Sequence, residues 1–225
     1  MLRSIVLAAC LLAAPFVTSV QAGDYVRYDV ARGTPDRNYP KRIDRGTWPG
    51  LWTSRISAAV DWGNGKSYFF SGSQYIRYDN RADRADRGYP KNVDDSTWPG
   101  LSALGPVTAA VNWGNGKIYF FNGLWYSRFD VAKNRVDRGY PKRVDDSTWP
   151  GLSALGPITA AVNWGNGKVY FFSDTWYSRF DVASNRTDRG YPYAVDNEYW
   201  PGLVSRAGIG SAINWRNGKS YFFFK

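Results

Sequence analysis

The stretch that decides the fold covers residues 109–152 and reads AAVNWGNGKIYFFNGLWYSRFDVAKNRVDRGYPKRVDDSTWPGL. Runs of apolar and aromatic residues flank Gly114-Asn115-Gly116, and an Asn-Gly pair between such runs is typical of a tight β-hairpin. We predict strands at 108–113, 117–122 and 125–130, with a short outer strand at 135–137. Residues 144–149, which precede Pro150-Gly151, are predicted to form one turn of helix.

This unit is repeated along the whole chain. Trp-Pro-Gly-Leu begins at Trp48, Trp98, Trp149 and Trp200, and Tyr-Phe-Phe begins at Tyr68, Tyr119, Tyr170 and Tyr221. Short antiparallel strands that recur with a period near 50 residues are typical of propeller blades. The sequence therefore predicts an all-β fold, a four-bladed β-propeller with short helical turns between blades.

The two ends of the chain carry complementary parts of one unit. Residues 23–56 hold the third-strand portion onward, and residues 210–225 hold only the first two strands. We expect these segments to form one shared blade that closes the ring, with complete blades at 57–107, 108–158 and 159–209. Closure of this kind removes the exposed sheet edges that invite aggregation.

A leader precedes the predicted propeller. Residues 1–22 combine Arg3, a long apolar run and small residues before Ala22, which is typical of a secretory signal peptide. Cleavage near Ala22 predicts a secreted, extracellular or periplasmic protein without a transmembrane segment, and leaves 23–225 as one domain. Lipidation of Cys10 is the alternative.

The charge of the chain favours anionic partners. Its 29 Lys and Arg outnumber 19 Asp and Glu, although a mixed-charge surface is the simpler interpretation. A propeller would bring one lysine from each blade into a ring: Lys66, Lys117, Lys168 and Lys219. A second set, Lys41, Lys91 and Lys142, is broken by Tyr193. We predict a polyanionic glycan or an extracellular protein as partner, and no nucleic acid.

The tryptophans divide into two groups. Eight lie at repeated landmarks and are predicted to pack between blades: Trp48, Trp62, Trp98, Trp113, Trp149, Trp164, Trp200 and Trp215. Trp125 and Trp176 instead occupy equivalent places in two successive units, where the others have Asp24 and Gln74. Two interpretations stay open: they are exposed anchors for a partner, or they are buried against a neighbouring blade, which strand-start aromatics favour.

Residue types argue against catalysis. The chain has no His, its single Cys is Cys10, and no glycine motif for phosphate binding occurs. The aspartates recur in every unit, which indicates repeated structural roles; they are Asp29, Asp79, Asp130 and Asp181, then Asp36, Asp86, Asp137 and Asp188, then Asp44, Asp94, Asp145 and Asp196. Glu198 is the only Glu. We predict a protein that is not an enzyme, with a hydrolase as the distant alternative.

The ordered submotifs of residues 109–152, repeated over 23–225, closely resemble the hemopexin repeat. Relatives with this repeat include serum haem carriers, matrix metalloproteinase propeller domains, vitronectin, plant seed albumins and bacterial proteins of insect pathogens. The resemblance implies a four-bladed propeller with a central channel, and it implies binding without fixing one ligand. A haem or small-ligand carrier and a lectin-like, carbohydrate-binding propeller are the alternatives. Haem capture in the family uses histidines, which this chain lacks, so haem is not expected.

The resemblance also implies ions in the channel. In the family, main-chain carbonyls hold a cation, calcium or sodium, and deeper amides hold an anion such as chloride. The corresponding first ring is Ser57, Thr108, Thr159 and Gly210, and the second is Ala59, Ala110, Ala161 and Ala212. The first ring departs from the usual Asp or Asn, which weakens the negative potential there. Small residues that simply fit beside a crowded axis are the other interpretation.

Overall fold

The computed structural model describes residues 20–52, 55–205 and 207–225. Most of the predicted signal peptide, including Cys10, lies outside the described residues. No helix within these ranges combines the length and apolar character that crossing a membrane requires.

The described strands form four sheets, each of which is one blade. The shared blade contains β1 (Asp24–Asp29), β2 (Thr34–Pro35), β3 (Lys41–Arg42), β19 (Ile209–Asn214) and β20 (Lys219–Phe224). The first complete blade contains β4 (Ala58–Asp61), β5 (Lys66–Ser71), β6 (Gln74–Asp79), β7 (Arg84–Ala85) and β8 (Lys91–Asn92). The second contains β9 (Ala109–Asn112), β10 (Lys117–Asn122), β11 (Trp125–Asp130), β12 (Arg135–Val136) and β13 (Lys142–Arg143). The third contains β14 (Ala160–Asn163), β15 (Lys168–Ser173), β16 (Trp176–Asp181), β17 (Arg186–Thr187) and β18 (Tyr193–Ala194).

The second blade confirms the strands predicted from residues 109–152. Its antiparallel order is β9-β10-β11-β12 from the axis outward, and β13, which the sequence did not predict, pairs with the start of β11. The predicted hairpin closes with Trp113 N–H donating to the Lys117 carbonyl at 3.0 Å. Gly114 and Gly116 adopt the positive φ of this turn, at 89° and 79°. Glycine reaches these values without the Cβ clash that other residues meet.

The segments between blades are turns rather than regular helices. Over residues 144–149 the chain forms a single turn, in which Trp149 N–H donates to the Asp145 carbonyl at 2.7 Å. A 3₁₀ helix follows at Ser153–Leu155, and its counterpart lies at Ser102–Leu104. The predicted helical turn is therefore present but short, with the 3₁₀ segment displaced toward the next blade.

The ring closes within the shared blade. β1 pairs antiparallel with β20, with Tyr25 opposite Phe223 and Asp29 opposite Lys219. β20 pairs in turn with β19, which lies beside β4 and β14 at the axis. This confirms the predicted four-bladed propeller and its closure by the N- and C-terminal segments.

The core consists of aromatic clusters between adjacent blades. Trp98 is 3% exposed and meets Phe70 of its own blade, with ring centroids 5.4 Å apart. Phe120 and Phe129 of the next blade lie at 5.5 Å from the same indole. Edge-to-face contacts of this kind add to the burial energy of the rings. The predicted inter-blade packing of the repeated tryptophans is confirmed, and it holds the blades together without a disulfide.

Candidate binding surfaces

The inner strands surround a central cavity of about 570 Å³. The predicted second ring, Ala59, Ala110, Ala161 and Ala212, lines this cavity. The rim of the cavity carries Asp61, Asn112, Asn163 and Asn214 at the ends of the inner strands, together with Arg216. The cavity is thus apolar along the alanines and polar at its rim.

The side chains of the predicted first ring bridge neighbouring blades. Ser57 Oγ donates to the carbonyl of Val107, which directly precedes Thr108 of the next blade, at 2.8 Å. Thr108 and Thr159 repeat this contact to the Ile158 and Ile209 carbonyls, at 2.8 and 3.0 Å. Gly210, the fourth member, has no hydroxyl to donate. The sequence contains no signal for these bridges, because each carbonyl acceptor lies 50 residues away along the chain.

A second set of bridges runs in the opposite direction along the rim. Asn112 Nδ2 donates to the Asp61 carbonyl at 2.9 Å, and Asn163 Nδ2 donates to the Asn112 carbonyl at 3.1 Å. Asn214 Nδ2 donates to the Asn163 carbonyl at 2.8 Å. The fourth position is Asp61, whose carboxylate has no N–H. Both missing bridges therefore belong to one contact, between β4 and β19, which we term the closing interface.

An ion pair spans the closing interface instead. Arg216 Nε lies 2.6 Å from Asp61 Oδ2. Arg216 has a φ of 60°, whereas the equivalent positions in the other blades are glycines, including Gly63. The guanidinium also packs on Gly63, where a Cβ would come within 3.3 Å of it. Burial raises the pKa of the Asp61 carboxyl, and the charge of Arg216 opposes this effect.

The cavity offers oxygen ligands but little negative charge. Asp61 is the only acidic residue among the described residues of its lining, and Arg216 already pairs with it. Clusters of three or more His, Cys, Asp or Glu that could hold a metal are absent from the described residues. A cation here would depend on main-chain and amide oxygens, a donor set that suits hard ions such as calcium or sodium.

The predicted ring of lysines is neutralised within the blades. Lys66 Nζ lies 2.8 Å from Asp79 Oδ2 and 3.0 Å from Asp86 Oδ1. Arg77 Nε lies 2.5 Å from Asp86 Oδ2. The same network recurs around Lys117, Lys168 and Lys219. These lysines have less charge to offer an anionic partner than their sequence positions suggested.

Other repeated aspartates have local structural partners. Asp94 Oδ1 accepts hydrogen bonds from the backbone N–H groups of Ser96 and Thr97, at 2.9 and 3.1 Å. Such bonds cap the turn that leads to the next blade. Glu198 is an exposed turn residue, and its N–H donates to Asp196 Oδ1 at 3.0 Å. The structural roles predicted for the aspartates match these contacts.

Cations without an ion pair lie on the blade edges. Among the described residues, Arg37, Arg87, Arg138 and Arg189 are exposed and form no salt bridge. Each follows the short fourth strand of its blade (β2, β7, β12 or β17) in an Asp-Arg-Gly/Asn-Tyr-Pro segment. Lys91 and Arg77 both lie against the Tyr89 ring, at 5.3 and 5.4 Å from its centroid. The predicted site residues do not include these arginines, although their fourfold recurrence is visible in the sequence.

Trp125 and Trp176 are exposed, with 44% and 50% of their surfaces accessible, so the burial interpretation is wrong. Side chains alternate along a strand, and Tyr126 takes the buried face while Trp125 takes the other. The guanidinium of Arg143 lies 5.6 Å from the Trp125 ring centroid. Ala194 stands opposite Trp176 and provides no such cover.

The repeat architecture agrees with a family assignment. The family model described as hemopexin matches residues 56–102, 107–153 and 158–205. The chain belongs to the hemopexin family. The three matches coincide largely with the complete blades of this hemopexin-family propeller, while the shared blade is split between the ends of the chain.

Curated relatives match the propeller over part of their length. Matrix metalloproteinase-21 of Homo sapiens is 38% identical over 124 residues, which is 50% of this chain and 21% of that protein. Vitronectin of Sus scrofa is 33% identical over 124 residues, which is 53% of this chain and 25% of that protein. The hemopexin-family chain therefore spans about a fifth to a quarter of the length of these relatives.

Solved structures share the fold. A plant albumin from Cicer arietinum showing hemagglutination has a TM-score of 0.64 at 20% identity, covering 82% of this chain and 93% of that one. The hemopexin fold protein CP4 from cow pea has a TM-score of 0.61 at 19% identity, covering 75% and 81%. At these identities the likeness concerns the fold alone.

Proposed function

We propose that this hemopexin-family protein is a secreted, non-catalytic binding module that recognises a polyanionic partner, such as a sulfated glycan, along its blade edges. Some cations of the protein are ion-paired and others are not, and this difference supports the proposal. Acidic side chains neutralise the inner lysines, whereas the edge arginines, Arg37, Arg87, Arg138 and Arg189, have no ion pair among the described residues.

The edge lysines strengthen the same surface. Lys41, Lys91 and Lys142 are exposed and lie within 5.3 Å of the ring centroids of Tyr39, Tyr89 and Tyr140. A tyrosine face holds the ammonium at the surface without cancelling its charge. Three blades thus present an arginine and a lysine within five residues of each other. A flexible polyanion that follows the outer edges of successive blades would meet these cations in turn.

The test is retention on immobilised heparin. The triple variant Arg87→Gln/Arg138→Gln/Arg189→Gln should elute at clearly lower salt than the unmodified protein, because it loses three unpaired edge charges. The matched control is Arg77→Gln/Arg128→Gln/Arg179→Gln. It removes the same number of charges from arginines whose Nε atoms lie 2.5, 2.6 and 2.5 Å from Asp86, Asp137 and Asp188. Because these guanidinium groups are already ion-paired, the control should elute close to the unmodified protein.

Two outcomes would contradict the proposal. Absence of salt-reversible retention would exclude a polyanion as the partner. An equal shift of elution in both triple variants would show that net charge alone, and not the edge arginines, accounts for the retention. An extracellular protein as partner would then be the surviving candidate, with the exposed Trp125 and Trp176 as its anchors.

We further propose a hard cation, calcium or sodium, in the central cavity, with chloride as the accompanying anion. The small side chains of Ala59, Ala110, Ala161 and Ala212 leave the cavity open, and Ser57, Thr108, Thr159 and Gly210 occupy the ring that the family uses for carbonyl ligands. Elemental analysis after exhaustive dialysis should find a stoichiometric cation. A metal-free protein with an unchanged melting temperature in added calcium would refute this part.

A further inference from the structure

The third complete blade departs from the repeat at two edge positions. Tyr193 stands where the other blades have Lys41, Lys91 and Lys142, and Tyr199 stands where they have Thr47, Thr97 and Thr148. The two replacements meet in space. The Tyr193 and Tyr199 rings stack with centroids 5.7 Å apart and an interplanar angle of 21°, and their exposed fractions are 40% and 52%.

The blade loses local hydrogen bonds through these replacements. Thr97 Oγ1 donates to the Asn92 carbonyl at 2.7 Å and accepts from Asp94 N–H at 3.1 Å. The Tyr199 phenol has neither bond among the described contacts. The replacements thus exchange a capping hydroxyl for partly exposed aromatic surface. Departures of this kind from a locally consistent pattern are typical of functional sites.

Tyr199 borders a cleft of about 350 Å³ between this blade and the shared blade. Tyr191 and Tyr177 lie on the same side, and the loop from Val30 to Gly33 forms the opposite wall. Gly33 has a φ of 63° and open space where a Cβ would stand, whereas the other blades carry Asp83, Asn134 or Asn185 there. The opposite wall of the cleft therefore carries no side chain at Gly33, at the point where this blade adds aromatic surface.

The cations of the cleft are already compensated. Arg179 Nε lies 2.5 Å from Asp188 Oδ2, and an Arg32 terminal nitrogen lies 2.7 Å from Asp36 Oδ1. What the cleft presents to a ligand is therefore aromatic faces and hydroxyls, with N–H donors at its border. This chemistry matches a sugar ring, whose C–H face packs on an aromatic ring while its hydroxyls exchange hydrogen bonds.

We propose that this cleft, bounded by Tyr191, Tyr199 and the Val30–Gly33 loop and extended by Tyr193, binds a neutral saccharide. Its volume lies near the lower end of the range of about 300–1,000 Å³ for small-ligand sites, which suits one or two sugar rings. Saccharide binding in this cleft does not depend on polyanion binding.

The experiment measures retention on immobilised neutral oligosaccharides that end in galactose, mannose, glucose or N-acetylglucosamine. The salt concentration is one that abolishes heparin retention, so that polyanion binding does not contribute. The test variant is Tyr193→Lys/Tyr199→Thr, which restores the residues of the preceding blade and therefore preserves the fold. We expect the unmodified protein to bind at least one oligosaccharide, and the variant to bind it about tenfold more weakly.

The matched control is Lys142→Tyr/Thr148→Tyr, which creates the same aromatic pair on the second blade. The adjoining blade there carries Asn185 in place of Gly33, so no second binding site should appear. Retention of no oligosaccharide, equal binding by the test variant, or a second site in the control would each overturn the assignment. Thermal melting of all three proteins verifies that they are folded.

Discussion

At the residue scale, two exceptions to the repeat compensate each other. Asp61 has no side-chain amide, so it cannot donate the hydrogen bond that Asn112, Asn163 and Asn214 make. Arg216 adopts a left-handed conformation that glycine adopts at the equivalent positions. Neither is favourable alone, since a buried carboxylate needs a partner and a non-glycine residue at positive φ is strained. Together they place an ion pair at the closing interface, where both bridging hydrogen bonds are missing.

A double-mutant cycle tests this compensation. Arg216→Gly should lower the free energy of unfolding by about 1–2 kcal/mol, because it leaves Asp61 buried without its counter-ion while the lost guanidinium was half-exposed. Asp61→Asn/Arg216→Gly should return to within about 0.5 kcal/mol of the unmodified protein, because an asparagine can donate to the Asn214 carbonyl. Urea denaturation measures both. Additive effects of the two substitutions would show that the residues act independently.

At the scale of the element, a network of ion pairs connects the second, third and fourth strands of each blade. Lys117 on β10 connects Asp130 at the end of β11 with Asp137 just after β12, at 2.8 and 2.9 Å. The outer strands have only two residues each. Their backbone hydrogen bonds to the neighbouring strand are therefore few and stabilise them little. Repetition of the network in every blade indicates that it secures these short strands.

The network predicts a loss of stability in acid. Hydrogen bonds from Lys219 and Lys66 lower the pKa of Asp29 and Asp79 to about 2, and the pKa of Asp130 is lowered further by Lys117. These carboxyls bind protons less readily in the folded than in the unfolded chain. Their contribution is therefore complete above the ordinary pKa of 3.8 and disappears as the pH falls through about 2.

The measurement is urea denaturation across this pH interval. The variant Lys117→Met should start less stable at neutral pH and lose less on acidification, because the pKa of Asp130 returns toward its ordinary value. An identical pH dependence in the variant and the unmodified protein would refute the role of the network. Lys133→Met serves as control, because Lys133 Nζ lies 3.5 Å from Asp130 Oδ2, farther than Lys117, and the Lys133 side chain is 69% exposed.

At the scale of the whole molecule, the closed ring depends on the pairing of β20 with β1. This pairing joins residues nearly 200 positions apart, with Lys219 Nζ also 2.9 Å from Asp29 Oδ2. The aromatic clusters make each blade depend on its two neighbours. Unfolding should therefore be a single cooperative event rather than a blade-by-blade process.

A circular permutant tests this dependence. Lys225 is joined to Gly23 by a short linker, and the chain is opened in the exposed turn between Gly105 and Pro106. Because all strand pairs are retained, the permutant should unfold in one transition close to that of the unmodified protein. Deletion of residues 219–225 should abolish the transition, since it removes β20, the strand that pairs with both β1 and β19 and closes the ring. Independent melting of the remaining blades in the truncated protein would contradict the cooperative ring.

The sequence by itself determined the number of blades, their principal strands and the closure of the ring. These features follow from patterns that are local or periodic: Asn-Gly turns, alternating aromatic strands, and a unit repeated with split ends. The same local patterns predicted the inter-blade tryptophans, but they gave no signal for β13, a two-residue strand at the edge of its sheet.

The tertiary structure alone decided which side chains are free to bind. It neutralised Lys66 and its equivalents, exposed Trp125 and Trp176, turned Ser57 and Thr108 toward neighbouring blades, and stacked Tyr193 on Tyr199 beside a cleft. Each of these outcomes depends on partners from strands or blades that are distant along the chain. Burial, ion pairing and stacking depend on such spatial neighbours, and periodicity specifies only that equivalent positions exist.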